Sequence, residues 1–100
     1  MNRIGYETRS EVYGIAEQHF GYTNQLIVAI EELSECQKEI CKALRGMPDT
    51  DHLAEEIADA TIMLEQVRLM FGVNEKVCEE MDRKVLRLCD RIGYKPEVLG

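Results

Sequence analysis

Residues 25–72 have the sequence QLIVAIEELSECQKEICKALRGMPDTDHLAEEIADATIMLEQVRLMFG. Apolar residues recur three or four positions apart on both sides of the Gly46-Met47-Pro48 segment, and this spacing is typical of helices. Glycine and proline end the first helix there, and the short connection predicts that the two helices lie antiparallel. These residues therefore predict a helical hairpin.

The flanking sequence adds one helix at each end of the hairpin. Glycines at 21, 46, 72 and 93 separate four segments with helical spacing, and no segment alternates with the period of a strand. We predict helices over 7–20, 23–45, 49–71 and 75–92, with N-cap candidates at 49–51 for the third helix and at Asn74 for the fourth. The fold class predicted is all-α, a single four-helix domain over residues 1–100, whose tail at 94–100 is loose or packed on a partner.

Composition excludes several classes of partner. The chain of 100 residues has a net charge of −7, which argues against binding to nucleic acid or to anionic membranes. The sequence has no apolar run of about 18 residues and therefore predicts no membrane span. The first residues show no apolar signal-peptide core. So short a chain buries a small share of its surface, which favours a homo-oligomer.

The four cysteines show neither Cys-x-x-Cys spacing nor a nearby histidine partner. They are Cys36, Cys41, Cys78 and Cys89. In a helical chain without a secretion signal, this pattern predicts reduced core thiols and disfavours a zinc site. We expect a cytoplasmic protein.

Two acidic motifs of the same shape lie on the two hairpin helices, Glu32-x-x-Glu35 and Glu56-x-x-Asp59. Residues three positions apart share a helix face, and like charges at that spacing repel. A cation between the motifs would relieve the repulsion. Carboxylate oxygens select hard divalent ions, so the sequence predicts Mg²⁺, with Mn²⁺ as an alternative.

Helical periodicity also predicts which acidic residues face inward. The predicted apolar stripes are Leu26, Ile30, Leu33, Ile40 and Leu44 on the second helix and Leu53, Ile57, Ala60, Leu64, Val67 and Phe71 on the third. Glu32, Glu39 and Glu56 border these stripes, whereas Glu31 and Glu55 point outward. Charges at the margin of a core are costly unless they are paired or bound to metal.

Histidine placement argues against a di-iron bundle, which would need Glu-x-x-His motifs. His19 and His52 lie outside both acidic motifs and are predicted to be surface or cap-region residues. Lys38 and Lys42 are expected to be surface partners of Glu35 and Glu39.

The two motifs in order, Glu31-Glu32-Leu33-Ser34-Glu35 and Glu55-Glu56-Ile57-Ala58-Asp59, resemble those of the all-α nucleoside triphosphate pyrophosphohydrolases of the MazG type. The resemblance covers residues 25–92 and includes Gly72-Val73 before another helix. The superfamily also contains dimeric dUTPases, dCTPases and phosphoribosyl-ATP pyrophosphohydrolase. The resemblance implies a four-helix MazG-like bundle that assembles into a dimer or tetramer.

The resemblance also implies an activity: Mg²⁺-dependent hydrolysis of an NTP or dNTP to the monophosphate and pyrophosphate. By position, the metal ligands would be Glu32, Glu35, Glu56 and Asp59. One of the two carboxylates on the second helix would act catalytically on the attacking water, Glu35 by preference and otherwise Glu32. The base and sugar specificity stay open.

Further residues are implied to contact the substrate. Lys84, Arg87 and Arg91 on the fourth helix would hold phosphates, although Leu88-Cys89-Asp90 stands where the family often has an Asn before a terminal Arg. Gln25 and Tyr13 would line a base pocket, while aromatic residues at helical spacing also fit a simple core position. The remaining alternatives are a phosphoribosyl-ATP pyrophosphohydrolase-like enzyme and a non-catalytic helical oligomerisation module.

Overall fold

The computed structural model describes residues 2–99 and shows four helices. They are α1 (Tyr6–Phe20), α2 (Tyr22–Leu44), α3 (Thr50–Met70) and α4 (Asn74–Ile92). No strand occurs within residues 2–99, and residues 94–99 form neither helix nor strand. The all-α prediction with four helices is confirmed, and each predicted helix end lies within one residue of the observed one. No helix in the described part of the chain is both long enough and apolar enough to span a membrane.

The helix ends follow the local sequence with one exception. A single residue, Gly21, joins α1 to α2 with a φ of 95°, a conformation that side chains larger than hydrogen disfavour. The side chain of Asp49 caps α3 by accepting a hydrogen bond from the backbone N–H of His52 at 3.1 Å. The prediction of Asn74 as the N-cap of α4 was wrong: Val73 occupies that position and makes no side-chain cap hydrogen bond.

The α2–α3 hairpin forms the centre of the molecule, but it buries a different face from the one predicted. The buried residues of these helices are Gln25, Ala29 and Glu39 on α2 and Ala60, Met63 and Gln66 on α3. Of the predicted stripes, only Ala60 is buried, whereas Ile30 and Leu44 are 66% and 83% exposed. Small side chains at Ala29 and Ala60 allow the two helices to pack against each other along the face that also carries the acidic residues.

The buried face of each hairpin helix is rotated about the helix axis relative to the predicted face. At 100° per residue, the buried face of each hairpin helix lies about a quarter turn from its apolar stripe. Because the helices are antiparallel, the same rotation turns both stripes toward one side of the hairpin. The exposed members of these stripes are Ile30, Leu33, Ile40 and Leu44 with Ile57, Leu64 and Phe71; we call this surface the hairpin apolar face.

The outer helices pack loosely on the hairpin. Helix α1 contacts α2 and α3, whereas α4 contacts only α3 among the helices of residues 2–99. Several large side chains of α4 stay exposed, namely Met81, Val85, Leu86, Leu88 and Ile92. The radius of gyration is 16.4 Å, against about 13 Å for a compact domain of this length.

The prediction that the four cysteines lie in the core was wrong. Cys41 and Cys78 are exposed, and only Cys89 is buried. All four thiols are free, as expected. The physical reason is the same as for the apolar stripes, because a chain with so small a buried interior places few side chains of any kind there.

Candidate metal centre

Three carboxylates from the two hairpin helices meet in the groove between α2 and α3. Glu32 on α2 and Glu56 and Asp59 on α3 each offer one oxygen, and these oxygens all lie within 4.8 Å of one another. Glu32 and Glu56 are partly buried, whereas Asp59 is exposed. The quarter-turn rotation of the helices produces this arrangement, because it turns the acidic margin of each apolar stripe toward the other helix.

The surroundings of Glu32 in this group disfavour its ionised form. Burial is the main cause that raises the pKa of Glu32, followed by the negative charges of Asp59 and Glu56. A raised carboxyl pKa means that the folded chain disfavours the ionised form of Glu32. A cation among the three oxygens would reverse that preference.

Glu56 is largely enclosed, with a side chain that is 12% exposed. Its Oε1 lies 3.2 Å from Nε2 of His52. Its Oε2 is buried and has no hydrogen-bond partner among the described residues. Buried carboxylate oxygens are normally satisfied by a donor or a cation, so this oxygen is free to bind one.

A second network lies directly beside the group and centres on Glu39, which is only 3% exposed. The Glu39 carboxylate contacts Lys42 Nζ at 3.1 Å and His52 Nδ1 at 3.0 Å. The pKa of Glu39 is lowered, mainly by the hydrogen bond from Lys42, and the pKa of His52 is raised, mainly by its hydrogen bond to Glu39. Lys42 pairs with Glu39 as expected, but the Glu39 carboxylate is buried rather than at the surface. The expected Lys38–Glu35 ion pair does not form among residues 2–99.

Sequence reasoning placed His52 correctly near the α3 cap but missed its link to two acidic residues. The signal that was available is its spacing, because His52 precedes Glu56 by four positions and therefore shares its helix face. The contact to Glu39 on the other helix carries no local signal. It depends on how α2 and α3 pack.

The remaining acidic residues of the motifs lie outside the three-carboxylate group. Glu35 is exposed, and its charge is the smallest of the causes that raise the pKa of Glu32. It is not among the carboxylates whose oxygens converge. Glu31 and Glu55 are exposed, which confirms that they point outward.

The two residues predicted for a base pocket are buried and engaged within the chain. The Tyr13 hydroxyl donates to Oε1 of Glu65, and Arg9 donates to both oxygens of the same carboxylate at 2.9 and 3.0 Å. Burial, with the hydrogen bond to Glu65, raises the pKa of Tyr13 to about 12. Gln25 Nε2 faces the carbonyl oxygen of Ala16 at 3.5 Å. These contacts explain both side chains as links between α1 and the hairpin.

The predicted phosphate contacts lie on α4, which packs against α3. Lys84, Arg87 and Arg91 are exposed. None of them forms an ion pair with a side chain of residues 2–99, whereas the neighbouring Glu80 pairs with Lys76 and Arg83.

Comparison with protein-family models, with curated proteins and with solved structures finds no match to this chain.

Proposed function

We propose that the chain is a Mg²⁺-dependent nucleotide pyrophosphohydrolase that converts an NTP or dNTP of the cytoplasm to the monophosphate and pyrophosphate. The observation that carries the proposal is the convergence of Glu32, Glu56 and Asp59 from two helices on a space less than 4.8 Å across. The ordered pair of acidic motifs, which resembles that of MazG-type enzymes, adds independent support from the sequence.

The residues of the site fit a divalent cation. The donor set consists only of carboxylate oxygens, which suit Mg²⁺ or Mn²⁺ better than zinc or copper. The buried, unpartnered Oε2 of Glu56 is a ready ligand atom, and burial together with the charges of Asp59 and Glu56 raises the pKa of Glu32. When bound, Mg²⁺ would offset the charge of a triphosphate and polarise its α-phosphoryl group.

The chain's own residues then take distinct roles. Glu32, Glu56 and Asp59 would hold the cation, and the packing of α2 on α3 positions them. The exposed carboxylate of Glu35 orients the attacking water and accepts its proton, with Glu32 as the alternative. The α–β anhydride bond breaks, and pyrophosphate leaves. The exposed Lys84, Arg87 and Arg91 attract the phosphates, from the same chain or from a second copy.

A MazG-like bundle of this kind would work as a dimer or tetramer, and the surface of the single chain supports that assembly. The accessible surface is 8189 Å², whereas a compact monomer of this mass exposes about 5,800 Å². The excess of about 2,400 Å² per chain is of the size that obligate homo-oligomers bury. The hairpin apolar face is the part of this surface that a second copy would cover.

The same apolar face supports a second candidate, a non-catalytic helical oligomerisation module. In that case the acidic group would be a solvated feature of the groove, and Mg²⁺ would not stabilise the fold. The unpartnered oxygen of the partly buried Glu56 favours the enzyme, because a structural module gains nothing from leaving it unsatisfied.

The test is pyrophosphate release from a panel of ribo- and deoxyribonucleoside triphosphates and phosphoribosyl-ATP, each with Mg²⁺ and with EDTA. We expect Mg²⁺-dependent release of pyrophosphate in equal amount to the monophosphate product. Glu56→Gln should abolish turnover and leave the helical content unchanged. Glu55→Gln is the matched control, since it makes the same change one residue away on the outward face, and it should keep near-normal activity.

Each other outcome selects a different function. Release from phosphoribosyl-ATP alone would move the substrate assignment to that class. No release from any substrate, with the oligomer intact, would overturn the enzyme and favour the oligomerisation module. Equal losses in Glu56→Gln and Glu55→Gln would show that the groove between α2 and α3 is not the reaction site.

A further inference from the structure

We infer that His52 is a positioning residue for Glu56 and is itself held in place by the buried Glu39. Glu39, His52 and Glu56 form what we call the relay, and the relay tunes the affinity of the three-carboxylate group for a divalent cation. The inference rests on the proposed function, since it assumes that the group binds a cation. It goes beyond that function by assigning a role to Glu39 and His52, which belong to neither acidic motif.

The geometry of the relay is continuous across the two helices. Glu39 Oε1 lies 3.0 Å from His52 Nδ1, and His52 Nε2 lies 3.2 Å from Glu56 Oε1. The imidazole is thus clamped between two carboxylates, one on α2 and one on its own helix. A ring held at both nitrogens has one orientation, and its contact with Glu56 therefore fixes the orientation of that carboxylate.

The relay leaves one oxygen of Glu56 engaged and the other free. His52 occupies Oε1, while Oε2 is buried without a partner. A carboxylate fixed at one oxygen loses little rotamer entropy when the other binds a cation. Neighbouring groups that orient metal ligands in this way typically change metal affinity by about 10- to 100-fold.

Glu39 is the anchor of the relay rather than a member of the acidic group. Its side chain is 2% exposed, and it is satisfied by Lys42 as well as by His52. A buried carboxylate held by an ammonium group and an imidazole is fixed in place. It therefore holds the imidazole at a defined depth in the groove.

A simple electrostatic role for His52 predicts the opposite effect of its removal. If the imidazole were only a positive charge near the carboxylates, it would compete with a cation, and its loss would tighten cation binding. A positioning role predicts weaker binding. The sign of the change therefore separates the two roles.

The experiment is a Mn²⁺ titration of the full-length protein, in which the electron paramagnetic resonance signal reports free Mn²⁺. We expect His52→Ala to weaken Mn²⁺ binding about 10- to 100-fold. His52→Gln should restore most of the affinity, because a glutamine amide can donate to Glu56 from four positions earlier on the helix. His19→Ala is the matched control, since it removes an exposed histidine on α1, and it should bind Mn²⁺ like the unmodified chain.

Circular dichroism of each variant shows whether the helices are intact, and His52→Gln provides a folded variant if His52→Ala unfolds. Equal or tighter Mn²⁺ binding by His52→Ala would overturn the positioning role alone. Affinity in His52→Gln as low as in His52→Ala would also overturn it, because a polar contact to Glu56 would not be the cause. Absence of Mn²⁺ binding by the unmodified chain would overturn the metal site, and with it this role.

Discussion

The folded chain opposes the ionisation of Glu32. Burial and the charges of Asp59 and Glu56 raise its pKa, so part of the folding free energy at neutral pH is spent on holding three like charges together. Glu32→Gln should remove that repulsion. In EDTA we expect its Tm to rise by about 1–3 °C, from the small energy of like-charge pairs and the steep dependence of Tm on stability in small domains.

The same substitution should remove the response to metal. Millimolar Mg²⁺ should raise the Tm of the unmodified chain, because a ligand that binds only the folded state stabilises it, and should leave the Tm of Glu32→Gln unchanged. Differential scanning fluorimetry with Mg²⁺ and with EDTA measures both effects. Glu31→Gln, on the exposed neighbour, should behave like the unmodified chain. A Tm that Mg²⁺ does not move in any variant would contradict a folded-state site.

At the scale of elements, one polar triad fastens α1 to α3. Glu65 accepts hydrogen bonds from Tyr13 and Arg9, and its pKa is lowered, mainly by Arg9. Its contribution to stability is therefore present above the unfolded carboxyl pKa of about 4.3 and is lost as the pH falls through the lower folded value. The pKa of Tyr13 is raised rather than lowered. Its contribution to the free energy of unfolding is therefore present below about pH 10 and is lost as the pH rises through about 12.

Tyr13→Phe should destabilise the chain by about 1.5–3 kcal/mol, the typical size of a hydrogen bond to a charged group. It should also remove the loss of stability between about pH 10 and the folded pKa of Tyr13. Urea unfolding at a series of pH values measures both. Tyr94→Phe, at an exposed tyrosine after α4, should change neither quantity. If Tyr13→Phe loses stability above about pH 10 as the unmodified chain does, the triad does not secure α1.

The four helices were predictable from local sequence, but the rotation of each helix about its own axis was not. Glycine and proline positions gave all four helices, and Asp49 was found as a cap because its side chain acts within one turn. The inward face was predicted from the stripe with Ile30, Ile40 and Leu64, on the premise that apolar residues pack inside one chain. In the single chain the face with Ala29 and Ala60 packs instead.

The candidate site shows the same division. The acidic motifs have a local spacing, so Glu32, Glu56 and Asp59 were identifiable from sequence. Glu39 and His52 meet across two helices, and that contact exists only once α2 and α3 have a fixed rotation. A motif search finds residues that share a helix face and misses partners on the facing helix.

For the whole molecule, the exposed stripes predict self-association through the hairpin apolar face. Ile40 is 50% exposed on this face, and a carboxylate at its position would be buried without a partner in an oligomer. Ile40→Glu should therefore weaken self-association by about a hundredfold or more. Sedimentation velocity across a range of protein concentrations measures the change, with a dimer or tetramer expected for the unmodified chain.

Lys38→Glu is the stringent control for this prediction. Lys38 lies on the exposed polar side of α2, about a third of a turn from the hairpin apolar face, and its replacement changes the net charge by more than Ile40→Glu does. If charge alone caused dissociation, Lys38→Glu would dissociate the oligomer more strongly. If the apolar face is the interface, only Ile40→Glu does so, and its Tm falls as well because the separated chain leaves about 2,400 Å² of additional surface in water. A monomeric unmodified chain would contradict the assembly and would leave the exposed stripes for a different partner.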